Sequence, residues 1–237
     1  MLTKRLIKTT MSNIKKRKRT RLHREGRKML LVVTLIVFIL NLVAYFYWPH
    51  WIFATLLGLS AAALVFVVYF FRDPVRILTI DDPNYLVAPA DGKVVVIEPV
   101  MENEYFHEER LQVSIFMSPF NVHANWYPCA GTILVSEHQA GNHKAAWLPK
   151  SSTENERSLV VIETMNKAVI AVRQIAGAMA RRIVTYARAG KECHRNSHLG
   201  FIKLGSRVDL YLPLDTEMFV EMGDNVRGNQ TIIAKLK

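Results

Sequence analysis

The sequence predicts a mostly-β body carried behind a two-helix transmembrane hairpin. Three observations predict it. Two uncharged apolar runs stand near the N-terminus, short Val- and Ile-rich runs fill the chain after Asp73, and the whole excess of positive charge sits in the first 28 residues. Helix–strand alternation of the kind that builds a parallel α/β sheet is absent from the pattern.

The basic head comes first. Residues 1–28 hold twelve of the 31 Lys and Arg and one of the 20 acids, Glu25, so the rest of the chain carries nineteen charges of each sign. A nucleic-acid-binding domain needs a basic face on its folded body. Here the bias belongs to a terminal segment, which excludes nucleic acid as a partner. A head of this charge suits an anionic lipid surface, where each apposed basic residue contributes about 1 kcal/mol.

The hairpin follows. Met29 to Tyr47 and Trp51 to Phe71 are free of charge, and Asn41 is the single amide in the first run. Each run has the roughly 20 residues that cross about 30 Å of hydrocarbon as a helix. Pro49 and His50 permit a reversal between them, and Tyr45, Tyr47, Trp48 and Trp51 form an aromatic belt at the far interface. The first run is too long for the apolar part of a signal peptide and lacks a small-residue cleavage site. Basic residues flank the outer ends of both runs, Arg72 and Arg76 included, and the connecting turn has none. The positive-inside rule then sets both termini in the cytoplasm. The expected division is a basic cytoplasmic head at 1–28, a hairpin at 29–71 and a β-rich domain at 72–237.

In the body, "GKVVVIEPV", "LQVSIFMS", "GTILVSEH", "SLVVIETM" and "AVIAVRQIAG" read as strands bounded by Gly, Pro and Asn. "GAMARRIVTYARAG", residues 177–190, predicts a short helix ending at Gly190. The tail from Phe219 predicts two short strands around a turn at Gly223-Asp224. In "GFIKLGSRVDLYLP", Val208, Leu210 and Leu212 alternate with Arg207, Asp209 and Tyr211, the pattern of a half-buried strand.

Common nucleotide, zinc-protease and serine-hydrolase motifs do not occur. Cys129 and Cys193 match no CxxC or metal spacing and read as free thiols. His194 and His198 are four apart but stand among loop residues, so no metal site is expected. Asp91, in "PADGKVVV", fits ordinary Asp-Gly turn chemistry, and His123, in "MSPFNVHANWYP", fits a hydrogen-bonded loop histidine. Gly205-Ser206 interrupts a strand, which a β-bulge explains. It also permits a reaction: in a strained backbone, the Ser206 hydroxyl can attack the unhindered Gly205 carbonyl, convert the amide to an ester and eliminate to leave a pyruvoyl group.

Five stretches in one order carry a resemblance: "FFRDPVR" at 70–76, "APADGKVV" at 88–95, "MSPFNVHANWYP" at 117–128, "QIAGAMARRIV" at 174–184 and "LGSRVDLYLP" at 204–213. From about residue 70 onward the chain resembles phosphatidylserine decarboxylases, in their short membrane-hairpin form. The resemblance implies a barrel-sandwich-like body (α+β overall), a zymogen cut between Gly205 and Ser206 into a β chain, 1–205, and an α chain, 206–237, and a covalent pyruvoyl cofactor from Ser206. That group would form a Schiff base with phosphatidylserine and release CO₂ to give phosphatidylethanolamine. Asp91 matches the aspartate linked to self-cleavage. His123 matches the first histidine of the family's HxxH stretch, a proton donor or positioning group. Trp126 stands where longer bacterial forms have a second histidine, so His123, His194 and His198 all remain as bases for Ser206. The resemblance also implies a cell-membrane location with the catalytic body on the cytoplasmic face and the lipid bilayer as partner, and it leaves a homo-oligomer open. The competing reading is a non-catalytic, membrane-tethered lipoyl-like carrier, since "MGDNVRGNQTI" and "PADGKVV" resemble the paired turns of such folds. A reporter fused after Lys237 is expected to give a cytoplasmic signal; a periplasmic signal would refute this topology.

Overall fold

The computed structural model describes residues 20–141, 155–177, 182–203 and 206–237. They divide at residue 75 into a helical unit and a β-rich unit.

In the helical unit, β1 (Thr20–Leu22) pairs antiparallel with β2 (Arg72–Pro74), clasping the two ends of a hairpin. Its arms are α1 (Arg24–Tyr47) and α2 (His50–Phe70), of 24 and 21 residues. At about 1.5 Å per residue both are long enough to cross the hydrocarbon of a bilayer. Only 6% of either apolar window is buried, and Leu31, Phe38, Phe46, Leu59 and Val65 are exposed. A core helix of a soluble domain would bury such residues, so this exposure points to membrane association. The lone amide of the first run has a purpose in the pairing: Asn41 Nδ2 donates across the hairpin to Ser60 Oγ at 2.8 Å. Such a bond between helices in lipid contributes about 0.6 kcal/mol.

The second unit is built of β3 (Tyr85–Val87), β4 (Gly92–Glu102), β5 (Glu108–Met117), β6 (Ala124–Trp126), β7 (Gly131–Gln139), β8 (Arg157–Thr164), β9 (Val169–Ala176), β10 (Arg182–Thr185), β11 (Glu192–Cys193), β12 (His198–Lys203), β13 (Ser206–Leu212), β14 (Glu217–Met218), β15 (Asn225–Val226) and β16 (Ile232–Lys235). Eight of these strands form one antiparallel, curled sheet in the order β11-β7-β8-β9-β13-β5-β4-β15. A small sheet, β10-β12-β6, lies over its inner face, and a third, β14-β16-β3, completes the body. The main core fills the space between, with Val113, Ile115, Val160, Ile162, Val172, Val208 and Leu210 inaccessible to solvent. The expected mostly-β body behind an apolar helical hairpin is borne out.

Two local expectations change. Residues 182–185 are a strand, where a helix was expected over 177–190; residues 178–181 of that segment lie outside the described residues. Ile183 and Val184 are β-branched and pair in register with Ile202 and Phe201 of β12, and a ladder partner outweighs the weak helical preference of the flanking Ala and Arg. β13 is also buried on both faces rather than one. Its outer-facing residues are not solvated but paired: Arg207 holds Asp209 at 2.8 and 3.0 Å, and the Tyr211 hydroxyl accepts from Arg173. Arg173 also binds Glu102 at 2.6 Å and Glu104 at 3.0 Å. Burial alone would raise the Glu102 carboxyl. Three backbone N–H donors, from Phe106, Tyr105 and Glu104, and the Arg173 charge outweigh it and hold the group below its ordinary range.

The two turns that suggested a lipoyl-like arrangement do meet. Asn225 and Val226 pair with Lys93 and Gly92, and Gly223, at φ +96°, donates its N–H to Val94 O at 2.8 Å.

Candidate active site

Ser206 heads β13 and is fully buried. Its backbone partners are Met117, the last residue of β5, and Ala176, the last of β9. Residues directly opposite on neighbouring strands project to one face, so the Ser206 and Met117 side chains meet: Ser206 Oγ donates to Met117 Sδ at 3.1 Å. A thioether is a weak acceptor. The hydroxyl is therefore out of water yet loosely held.

From Met117 the chain enters a turn. Asn121 Oδ1 accepts from both the amide and the hydroxyl of Ser118 at 2.8 Å, and Asn121 N–H donates to Ser118 O at 3.0 Å. The turn delivers His123, buried, with Nδ1 3.0 Å from Asn121 O. A carbonyl only accepts, so Nδ1 carries the proton, and in the neutral ring Nε2 is the basic nitrogen. The His123 carbonyl takes the Ile202 N–H at 3.2 Å, fixing it to the end of β12. His123 is thus connected to Ser206 indirectly, through the turn that follows Met117 and through Ile202 near the end of β12. Gly205 itself lies outside the described residues.

Asp91 stands just before β4, where a Cβ on the next residue, Gly92, would lie 2.2 Å from Phe116 O, beside Met117. Both of its oxygens are held by Arg76, Oδ2 at 2.8 Å, and Oδ1 also accepts the Gly228 N–H at 2.8 Å. The Arg76 guanidinium lies 5.0 Å from the centre of the Trp126 ring, and the same indole meets His198 at 5.2 Å, edge to face. Gly228 must be glycine here, because a Cβ would stand 2.5 Å from Trp126 Cε3. His194 is exposed beside Glu192, at 3.9 Å. Of the three histidines weighed as bases, His123 is tied through Asn121 and Ile202 to the strand ends next to Ser206, and His198 stacks edge to face on Trp126.

Two arginines are structural. Arg76 is sequestered with Asp91. Arg195 donates to the carbonyls of Ile80, Asp82, Pro83 and Tyr85 at 2.9–3.2 Å and straps that segment down. Burial pushes the Cys193 thiol up to about 11 and the Cys129 thiol higher still, with Cys193 adding to the latter. Both therefore stay protonated at neutral pH and offer no nucleophile.

Sequence reasoning missed a buried polar chain on the inner face. Gln174 Nε2 donates to Asn125 Oδ1 at 2.7 Å, Thr185 Oγ1 donates to Gln174 Oε1 at 2.8 Å, and Ser158 Oγ lies 2.6 Å from Thr185 Oγ1. Asn125 Nδ2 reaches Met117 Sδ at 3.7 Å, the same sulfur that Ser206 contacts. A signal existed: Gln174 is a polar residue in the apolar run "VIAVRQIA".

The family model described as "Phosphatidylserine decarboxylase" matches residues 63–234. The phosphatidylserine decarboxylase proenzyme of Bacteroides thetaiotaomicron is 54% identical over 233 residues, covering 96% of this chain and 100% of that protein. The proenzyme of Phocaeicola vulgatus is 52% identical at the same coverage, and that of Porphyromonas gingivalis is 57% identical over 170 residues, 71% of this chain and 77% of its own length. The chain belongs to the phosphatidylserine decarboxylase family.

In this family member, the aspartate of the "PADG" turn is neutralised by an arginine, not a histidine. The side chains of Arg76 and Asp91 are only 9% and 11% exposed. Removing one partner of a buried ion pair costs about 3–5 kcal/mol, whereas replacing both by apolar groups is often neutral. Arg76→Met is therefore expected to lower unfolding stability by about that amount, and Arg76→Met/Asp91→Leu to recover most of it, measured by denaturant unfolding of the full chain in detergent. An unchanged midpoint for the single variant would contradict the pairing.

Proposed function

We propose that this chain is a phosphatidylserine decarboxylase proenzyme that cuts itself between Gly205 and Ser206 and then converts phosphatidylserine to phosphatidylethanolamine and CO₂. The observation that carries the reading is the buried Ser206 hydroxyl, held among the described residues by a thioether at 3.1 Å, at the start of the strand that follows the β12 segment to which His123 is bonded. The surroundings fit a pyruvoyl group derived from residue 206: the position is dry, its strand neighbour Ala176 is small, and an amide donor, Asn125 Nδ2, points to the same sulfur. Such a group supplies a carbonyl that condenses with a primary amine and takes up the electron pair left when CO₂ departs.

The chain's own residues have the following parts. His123 Nε2 takes the Ser206 proton and afterwards holds a proton at the site, a task suited to imidazole near neutral pH. Asp91 acts through the turn it anchors. With Arg76 and Gly228 it fixes the 89–92 turn, whose Pro89 carbonyl accepts the Trp126 N–H at 2.8 Å and so seats the strand that follows His123. β13 keeps the new N-terminus in register. The membrane hairpin tethers the body to the bilayer, which a diacyl lipid does not leave, since each buried CH₂ is worth about 0.8 kcal/mol. The basic head and the positive-inside rule assign the body to the cytoplasmic face of the cell membrane.

Ser206→Ala is expected to remain one chain on a denaturing gel and to release no CO₂ from phosphatidylserine, while mass spectrometry of the native protein shows a pyruvoyl-blocked fragment starting at residue 206. Normal cutting of the Ala variant would refute the mechanism. For His123→Ala, cutting or turnover should fall at least about 100-fold; wild-type rates of both would remove His123 from the site.

A further inference from the structure

The polar chain on the inner face has a direction. Thr185 spends its proton on Gln174 Oε1, so Ser158 must donate to Thr185; Gln174 in turn donates to Asn125, and Asn125 Nδ2 donates onward. Every link points toward Ser206. The last acceptor is Met117 Sδ, which takes Asn125 Nδ2 at 3.7 Å and Ser206 Oγ at 3.1 Å. Ser158, Gln174, Asn125, Met117 and Ser206 are all fully buried. Room for this chain is made at Gly200, where a Cβ would lie 2.7 Å from Gln174 Nε2. A buried amide N–H normally finds an oxygen, whereas among the described residues this one ends on a distant thioether, a weak acceptor. Four residues and a glycine are thus spent on aiming one poorly satisfied donor at the serine.

We propose that Asn125 is the hydrogen-bond donor that stabilises the oxyanion of self-cleavage, and that Gln174, held by Thr185, is the residue that positions it. The proposal rests on the self-cleavage reading above. Ser206 Oγ bonds to the preceding carbonyl carbon, the carbonyl electron pair moves to its oxygen, and the hydroxyl proton passes to the base. The Asn125 N–H leaves the sulfur for that oxygen, a strong acceptor in place of a weak one. Collapse breaks the C–N bond and returns the proton to the Ser206 nitrogen, giving an ester. Loss of the Cα proton and of the Gly205 carboxylate leaves dehydroalanine, which water converts to the pyruvoyl group and ammonia. The donor acts only in the first of these steps.

The test compares wild type, Asn125→Leu and Gln174→Leu as full chains in detergent, following cutting on denaturing gels with and without hydroxylamine, which cleaves an ester but not an amide. For Asn125→Leu, cutting is expected to slow about 100-fold, the usual cost of losing one oxyanion donor, and the uncut chain should resist hydroxylamine. For Gln174→Leu, which leaves Asn125 in place but unpinned, about 10-fold slowing is expected, so a folding failure of one variant leaves the other to decide. Thermal unfolding is followed in parallel, and slowing without a lowered midpoint supports the assignment. Cutting of a folded variant at the wild-type rate, or build-up of a hydroxylamine-sensitive chain, would overturn it. A wild-type chain that never cuts overturns the parent reading, whereas normal wild-type cutting with unaffected variants overturns the Asn125 assignment alone.

Discussion

A strand hydrogen-bonded on both sides cannot slide, because a shift of one residue would turn every side chain to the opposite face. β13 is such a strand, paired with β5 from Ser206 to Leu212 and with β9 from Ser206 to Tyr211. That double ladder sends Val208, Leu210 and Leu212 into the core and puts Ser206 against Met117. It also decides the fate of Arg207 and Asp209, which the alternation would leave in water but the fold covers. Two opposite charges two residues apart on one face can neutralise each other, so the outer face closes over them without stranding a charge. The reactive position is therefore set by backbone pairing, with side chains needed only for the chemistry.

Around this fixed point the body uses buried polar groups in two ways. The Arg76–Asp91 and Arg173–Glu102 pairs set opposite charges together and tie separate segments of the chain. Their worth lies less in net stability than in the cost of breaking them. The Ser158-to-Asn125 chain is matched at every link but its last. The difference separates groups that hold the structure from a group held in reserve.

Much of this was legible in the sequence. The hairpin, the β-rich body and the family resemblance follow from apolar run length, β-branched composition and five ordered motifs. Asn41 stood out as an amide in a lipid-facing run and proved to bridge the two helices. The readings that changed all depended on distant partners. Residues 182–185 became a strand because β12 lies alongside, and the outer face of β13 became buried where Arg173 reaches Tyr211. Gln174 is visible as an oddity in an apolar run, but its meaning requires Gly200 and Asn125, which only the folded chain brings near. Local periodicity reports which face a residue takes, not what covers that face.

The segment from Ser206 onward contributes strands to two separate sheets: β13 and β15 to the large one, β14 and β16 to another. A cut before Ser206 would sever the covalent line without removing a single one of those ladders. The mature protein would then be two molecules woven into one fold, and its thermodynamics would differ from its parent's. Unfolding would release two fragments, reassembly would depend on their concentration, and neither fragment could regenerate the precursor bond. Such a protein is made once and endures by the slowness of its opening, so its lifetime is a matter of kinetics rather than of equilibrium.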